Sequence, residues 1–241
     1  MAREAPRVFL LSPARLDGER ARLLFRPVTA FPLAAALRSK EGAPIGEVFR
    51  FLSGLYFRGK LAYAEAFARP PKKSDGVLVI TTNRGLLPAS TRVRVDDLAR
   101  FAETDIHHTS DAFRGPLARD AETLARALGA RGEPVLLGSI ATAKYVDVLL
   151  SVFGDRLLFP SEFVGRGDMS RGGLMLRAVD ARAELTYVPV RGAVRHGARP
   201  ASFRPSKACG EVTSCTRWRS MYSSAVPSAS VRTTCAAQIL S

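Results

Sequence analysis

The chain has 241 residues, of which 46% are apolar and 24% charged, and its formal net charge is +14 at pH 7. This composition is ordinary for a globular protein and supplies enough apolar residues for one sizeable core. No apolar run reaches the roughly 18 residues of a membrane-spanning helix, and the N-terminus lacks a secretory signal pattern. We therefore expect a cytoplasmic protein that does not contact a membrane.

The basic charge has two interpretations. It favours a polyanionic partner such as nucleic acid, because neutralised phosphates release counterions. However, arginine greatly outnumbers lysine and alanine is abundant, which is typical of translation from GC-rich DNA. Charge alone therefore leaves a nucleic-acid partner open.

Short apolar runs alternate with helical patterns along the chain. The runs predict strands at residues 8–11, 77–80, 134–137, 156–159 and, at a sheet edge, 185–190. The helical patterns cover residues 55–68, 116–128, 141–153 and 168–179, and residues 14–51 predict one or two short helices and a long loop. Apolar strands separated by helices predict an α/β fold, a three-layer α/β/α sandwich with a mostly parallel sheet of about five strands.

The composition changes near residue 204. The last segment is rich in Ser and Thr, lacks periodicity, and contains all three cysteines, Cys209, Cys215 and Cys235. We therefore predict an α/β domain at residues 1–203, followed by a tail at 204–241. The tail is either naturally disordered or the product of a frameshift.

Neither a metal site nor a cofactor is expected. An odd number of cysteines without metal-ligand spacing indicates neither a zinc site nor a disulfide framework. His107 and His108 are adjacent, a spacing that does not suit metal ligands on a helix, and His196 is isolated.

The loops that follow the strands are the candidate ligand site. In open α/β sheets, ligands bind beyond the carboxyl ends of the strands. This rule brings together the loops at residues 12–13, 81–85, 138–142 and 161–171.

The loop after the third predicted strand favours an anion. Ser139 and Thr142 supply hydroxyl donors where a helix begins, and Lys144 adds positive charge. Alternatively, Ser139 only caps the helix.

The loop after the fourth predicted strand is the most polar. Arg166 and Arg171 can bind phosphate or carboxylate in bidentate fashion, with Ser170 as a further ligand contact or a helix cap. Asp168 and Glu162 are the candidate catalytic carboxylates, which orient water or stabilise a cationic sugar.

The loop after the second predicted strand offers weaker candidates. Asn83 can read a base edge or a sugar and Arg84 can bind phosphate, although a plain turn explains both residues. Tyr56, in the helix at 55–68, either stacks on a base or packs in the core.

Four stretches carry a family resemblance: GLYFRGKLAYAEAFA, VLVITTNRGLLP, VLLGSIATAKY and FVGRGDMSRGGLMLR. They resemble a conserved bacterial family of unknown function over most of residues 7 to 200. The layout is also loosely similar to uracil-DNA-glycosylase-like and YaaA-like α/β proteins, which implies a nucleotide- or nucleic-acid-directed site but supplies no reaction. The activating acid and the histidine-bearing loop of those glycosylases have no counterpart in this sequence.

Three functions follow as hypotheses. The first is an enzyme of nucleotide or nucleic-acid metabolism that hydrolyses or transfers at an N-glycosidic bond. The second is a non-catalytic nucleic-acid-binding module, and the third is a regulatory domain that binds a small anionic metabolite.

Overall fold

The computed structural model describes residues 4–28, 31–104, 110–141, 143–194 and 197. Within them the strands are β1 (Arg7–Leu11), β2 (Ala43–Pro44), β3 (Val77–Ile80), β4 (Leu86–Pro88), β5 (Arg92–Val93), β6 (Glu133–Leu137), β7 (Leu158–Pro160) and β8 (Tyr187–Pro189). The helices are α1 (Glu19–Phe25), α2 (Pro32–Arg38), α3 (Ile45–Ser53), α4 (Leu55–Phe67), α5 (Val95–Glu103), α6 (Asp111–Leu128), α7 (Lys144–Phe153) and α8 (Asp168–Asp180).

Six of these strands form one mostly parallel sheet, in the order β4-β3-β1-β6-β7-β8. The four central strands run parallel, and the edge strands β4 and β8 are antiparallel to their neighbours. The predicted α/β class and mostly parallel sheet are therefore confirmed. The sheet has one strand more than expected because the chain turns back at Gly85, whose φ of 64° suits glycine, and pairs β4 with β3.

The strand order reverses between β1 and β6. From β1 the chain crosses to β3 on one side of the sheet, whereas β6 pairs with β1 on the other side. Leu11 and Leu137 are register partners at the carboxyl ends of these strands, and the Ser12 amide continues the ladder with a hydrogen bond to the Leu137 carbonyl oxygen (3.2 Å). Such a switch point opens a crevice between the loops that leave it on opposite sides.

Several helix boundaries differ from the predicted ones. Helix α6 begins at Asp111, so Pro116 lies inside it instead of in its first turn. Helix α7 begins at Lys144, three residues later than predicted. The segment 14–51 contains three helices, α1 to α3, where one or two were expected.

Helices α4 and α8 touch backbone to backbone. A Cβ atom placed on Gly59 would lie 2.6 Å from the Gly172 carbonyl oxygen, and one on Gly172 would lie 2.7 Å from the Leu55 carbonyl oxygen. Only glycine leaves room for this approach. The two glycines therefore bring the side chains of α4 against the first turn of α8.

None of the helices among the described residues is long and apolar enough to cross a membrane. The cytoplasmic location stays a prediction. The predicted boundary at 203/204, the three cysteines and the three histidines lie outside the described residues.

Candidate functional site

A cleft of about 1170 Å³ lies beyond the carboxyl edge of the sheet, where the strand order reverses. Ser12, which follows β1, and Ser139, which follows β6, both line it. Asp168 from α8, Lys144 from α7 and Tyr56 from α4 also line it. Its volume exceeds the roughly 300–1000 Å³ of a typical small-molecule site.

Lys60 lies beneath this cleft and is the most unusual residue of the site. Its side chain is only 1% exposed, although it is a lysine in the middle of α4. Its Nζ atom bonds the carbonyl oxygen of Ser12 (2.6 Å) and the hydroxyl oxygen of Ser12 (3.0 Å). It also lies 4.5 Å from the ring centroid of Tyr56 and 4.7 Å from that of Phe57.

Burial lowers the pKa of Lys60 to about 7, because the apolar surroundings penalise the ammonium ion. Asp168 opposes this effect and Arg171 adds to it, both from α8. Near neutral pH a substantial fraction of the amine is therefore neutral, which is the form that accepts a proton.

The Tyr56 hydroxyl group is buried and has no hydrogen-bond partner among the described residues. Burial raises the pKa of this hydroxyl, although the nearby Arg171 guanidinium lowers it in part. A buried hydroxyl without a partner costs free energy unless a ligand or water satisfies it. Tyr56 lines the cleft, although its hydroxyl oxygen is shielded from solvent beside the Arg171 guanidinium.

Tyr145 lines the cleft and contacts the segment that follows β6. Its hydroxyl donates to the Ser139 carbonyl oxygen (2.9 Å), and burial raises its pKa. A Cβ atom on Gly138 would lie 2.8 Å from both this hydroxyl oxygen and the Ser12 Cβ atom. Gly138 therefore allows Tyr145 and Ser12 to approach each other.

Of the predicted site residues, the cleft brings together Ser139, Lys144 and Asp168. Asp168 is the first residue of α8, with its side chain 69% exposed, and Lys144 is exposed at the start of α7. The Ser139 hydroxyl accepts a hydrogen bond from the Ala141 amide (3.3 Å) instead of capping α7, whose N-cap is Ala143. Thr142 lies outside the described residues.

The other predicted residues of the polar loop bond to the protein itself. Arg171 donates from Nε and Nη2 to the Phe163 carbonyl oxygen (3.1 and 3.0 Å). Arg166 donates from Nε to the Glu162 carbonyl oxygen (2.9 Å) and from Nη1 to the Ser170 hydroxyl (3.2 Å). The Glu162 carboxylate accepts the Thr186 amide (2.9 Å) and so links the loop to the approach of β8.

Asn83 and Arg84 likewise contact α5 and its C-terminal end. Asn83 donates to the Arg100 carbonyl oxygen (2.9 Å) and the Thr104 hydroxyl (3.1 Å), and Arg84 pairs with Asp97 (3.4 Å). Neither residue lines the cleft, whereas the neighbouring Thr82 does.

The charges of the cleft wall are mixed. The described charged residues that line it are Arg15, Lys144, Asp17, Glu103 and Asp168, two cations and three carboxylates. The described residues contain no cluster of three or more metal-ligating side chains. The wall therefore suits a hydroxyl-rich ligand with little charge better than a polyanion.

Sequence reasoning did not single out Lys60 as a site residue. A signal for it exists, because Tyr56, Lys60, Tyr63 and Phe67 follow one another at spacings of four, three and four residues. This spacing places them on one helix face, where a lysine among aromatic residues indicates burial.

Comparison with protein-family models finds no matching family, and comparisons with curated proteins and with solved structures find no significant match. The family resemblance inferred from the sequence stays a prediction.

Proposed function

We propose that the protein is a hydrolase or transferase that binds a nucleoside or nucleotide in the cleft at the switch point. One observation carries the proposal: Ser12, Ser139 and Asp168 converge at this point beside a buried Tyr56 hydroxyl, which has no hydrogen-bond partner in the part of the chain that the structure describes. Open α/β sheets bind their ligands at this place, and the unpaired hydroxyl supports a ligand with a hydrogen-bonding group.

The cleft wall supports a nucleoside in particular. The aromatic residues Tyr56 and Phe101 line the cleft, which suits a base, and Ser53 supplies a hydroxyl for ribose. Of the two exposed cations of the wall, Arg15 pairs with Asp17 (2.6 Å), so Lys144 is the one proposed to meet a phosphate group. The three carboxylates of the wall disfavour a long polyanion, so we rank the nucleic-acid-binding module below this function.

Asp168 is the better of the two candidate catalytic carboxylates. It is exposed and lines the cleft, whereas Glu162 is bonded to the Thr186 amide. A carboxylate beside a sugar stabilises the cationic character that develops when an N-glycosidic bond breaks, or orients the attacking water. Cleavage or exchange of an N-glycosidic bond is therefore the reaction that Asp168 suits.

The test is a thermal-shift titration of the full chain with nucleosides, nucleoside monophosphates, ribose 5-phosphate and a short single-stranded oligonucleotide at two salt concentrations. We expect nucleosides or monophosphates to raise the melting temperature, since a ligand that binds only the folded state stabilises it. Asp168→Asn should weaken the shift. Asp111→Asn is the matched control, because both residues are exposed and each is the first residue of a helix.

Two results would contradict the proposal. One is a panel in which no nucleoside or monophosphate changes the melting temperature. The other is a salt-sensitive shift with the oligonucleotide alone, which would favour the nucleic-acid-binding module instead. Ligands that stabilise the chain then serve as substrates in an assay for release of the free base.

A further inference from the structure

The cleft floor contains a hydroxyl and an amine in the arrangement of a nucleophile and its base. Ser12 lines the cleft, and its hydroxyl oxygen lies 3.0 Å from the Lys60 Nζ atom. The backbone of Ser12 is held in place, because its amide bonds Leu137 and its carbonyl oxygen accepts a second bond from Lys60 (2.6 Å). Activated serine nucleophiles have this geometry, in which the base lies within hydrogen-bond distance of the hydroxyl.

We propose that Ser12 is a nucleophile for acyl transfer, with Lys60 as its general base and the Tyr56 hydroxyl as a donor to the developing oxyanion. The substrate class is an ester or another activated acyl compound. This chemistry goes beyond the proposed function, because it depends on the groups under the cleft and not on the ligand that the cleft binds.

The step balances within the site. The Ser12 Oγ atom forms a bond to the acyl carbon while its proton passes to the neutral Lys60 amine. The bond from the acyl carbon to the leaving alcohol then breaks, and the alcohol takes the proton from Lys60. Water hydrolyses the acyl-serine in the same way, with Lys60 again accepting and returning one proton.

Three observations support these roles. Lys60 must be neutral to accept a proton, and burial lowers its pKa to about 7. The charged groups that act on it, Asp168 and Arg171, both come from α8 and oppose each other, and the titratable Tyr56 ring lies beside it in α4. The Tyr56 hydroxyl has no hydrogen-bond partner among the described residues, Tyr56 lines the cleft together with Ser12, and an oxyanion site needs a free donor.

The experiment treats the full chain with a fluorophosphonate probe and maps the product by mass spectrometry. In this reaction Ser12 Oγ bonds phosphorus, fluoride leaves, and the hydroxyl proton passes through Lys60 to solvent. We expect one adduct, on the peptide that contains Ser12. Its rate of formation should increase about tenfold from pH 6 to pH 8, as the Lys60 amine loses its proton.

Two variants locate the chemistry, and a third controls for packing. Ser12→Ala should abolish the adduct, and Lys60→Met should slow labelling of Ser12 by roughly 100-fold or more, the usual contribution of a general base. Tyr63→Phe changes the same helix away from the cleft and should leave labelling unchanged. The pH profile of the unaltered chain needs no variant, so the pair stays testable if Lys60→Met does not fold.

The roles of Ser12 and Lys60 are overturned if Ser12 carries no adduct at any pH or if labelling does not depend on pH. They are also overturned if folded Lys60→Met is labelled at the rate of the unaltered chain. These outcomes are separate from those of the nucleoside titration. If Ser12 is labelled, and nucleosides neither slow this labelling nor raise the melting temperature, the Ser12–Lys60 pair is retained and the nucleoside assignment is contradicted. If nucleosides raise the melting temperature and Ser12 is not labelled, the nucleoside assignment is retained and the Ser12–Lys60 pair is contradicted.

Discussion

The polar loop at residues 161–171 and the cleft floor formed by Ser12, Tyr56 and Lys60 use charge in opposite ways. The loop contains many charged residues, and Glu162, Arg166 and Arg171 are bonded to backbone atoms of the loop or of the segment before β8. In the floor, Lys60 lies among aromatic rings beside the Tyr56 hydroxyl, for which the described residues supply no hydrogen-bond partner. The charged groups of the loop are used in bonds within the protein, whereas the floor holds a desolvated amine and a buried hydroxyl. The density of charge along the sequence is therefore a poor guide to which groups are free to react.

The largest expected effect tests whether the floor depends on the contact between α4 and α8. Gly172→Ala would place a Cβ atom 2.7 Å from the Leu55 carbonyl oxygen, so the helices must separate. We expect the free energy of unfolding to fall by about 3 kcal/mol, the upper end of the usual cost of overpacking, measured by chemical denaturation.

Gly173→Ala is the matched control one residue further along α8. Its Cβ atom would meet only the flexible end of Arg177, at 3.3 Å, and alanine favours a helix over glycine. It should keep or slightly raise stability. Equal losses in the two variants would show that the helix contact is not what the glycine provides.

The next effect concerns the charge of Lys60. Its pKa of about 7 lies below the ordinary 10.5, so the unfolded chain binds more protons between these pH values and the free energy of unfolding must rise with pH there. Relative to Lys60→Met, the stability of the unaltered chain should rise by about 2 kcal/mol from pH 7 to pH 9. Denaturation of both proteins at several pH values measures this difference, and a constant difference would contradict a desolvated amine.

Arg171→Met tests the polar loop at residues 161–171, the other region of the comparison. Its guanidinium bonds the Phe163 carbonyl oxygen twice, so the variant should lose about 1.5 kcal/mol in chemical denaturation. Because Arg171 lowers the pKa of Lys60, the pH midpoint of probe labelling should also move upward. A variant that keeps full stability but loses affinity for the ligand would instead support the phosphate-binding role predicted for Arg171.

Part of this arrangement could be read from the sequence. The apolar runs that stop just before Ser12, Thr81 and Gly138 predicted three of the parallel strands. The rule that ligands bind beyond the carboxyl ends of strands predicted that Ser139 and Asp168 lie in one cleft, and both line it. The rule works because parallel strands end at the same edge whatever their order. The binding roles of these residues stay predictions.

The rest depends on contacts between distant segments. Whether Arg171 is free or bonded depends on the path of the loop around Phe163, which residue types do not determine. The burial of Lys60 depends on which face of α4 meets the sheet and on the approach of α8 at Gly59. The aromatic spacing around Lys60 indicates its burial, but it does not specify the approach of α8 or the contact with Ser12.

The smallest expected effect separates two tyrosines of α4. The Tyr63 hydroxyl accepts the Leu185 amide (2.8 Å) and shares a hydrogen bond with Tyr187 (2.6 Å), so Tyr63→Phe should cost about 1 kcal/mol. Tyr56→Phe removes a hydroxyl that bonds nothing among the described residues, and it should keep or slightly raise the stability measured by denaturation.

Probe labelling should reverse this order of effects. Tyr56→Phe should slow the reaction of Ser12, because the oxyanion loses its donor, while Tyr63→Phe leaves the rate unchanged. A hydroxyl that contributes nothing to stability and yet changes reactivity is held for a ligand. If both variants lose stability alike and label alike, Tyr56 is a packing residue of the core and not the donor to the oxyanion.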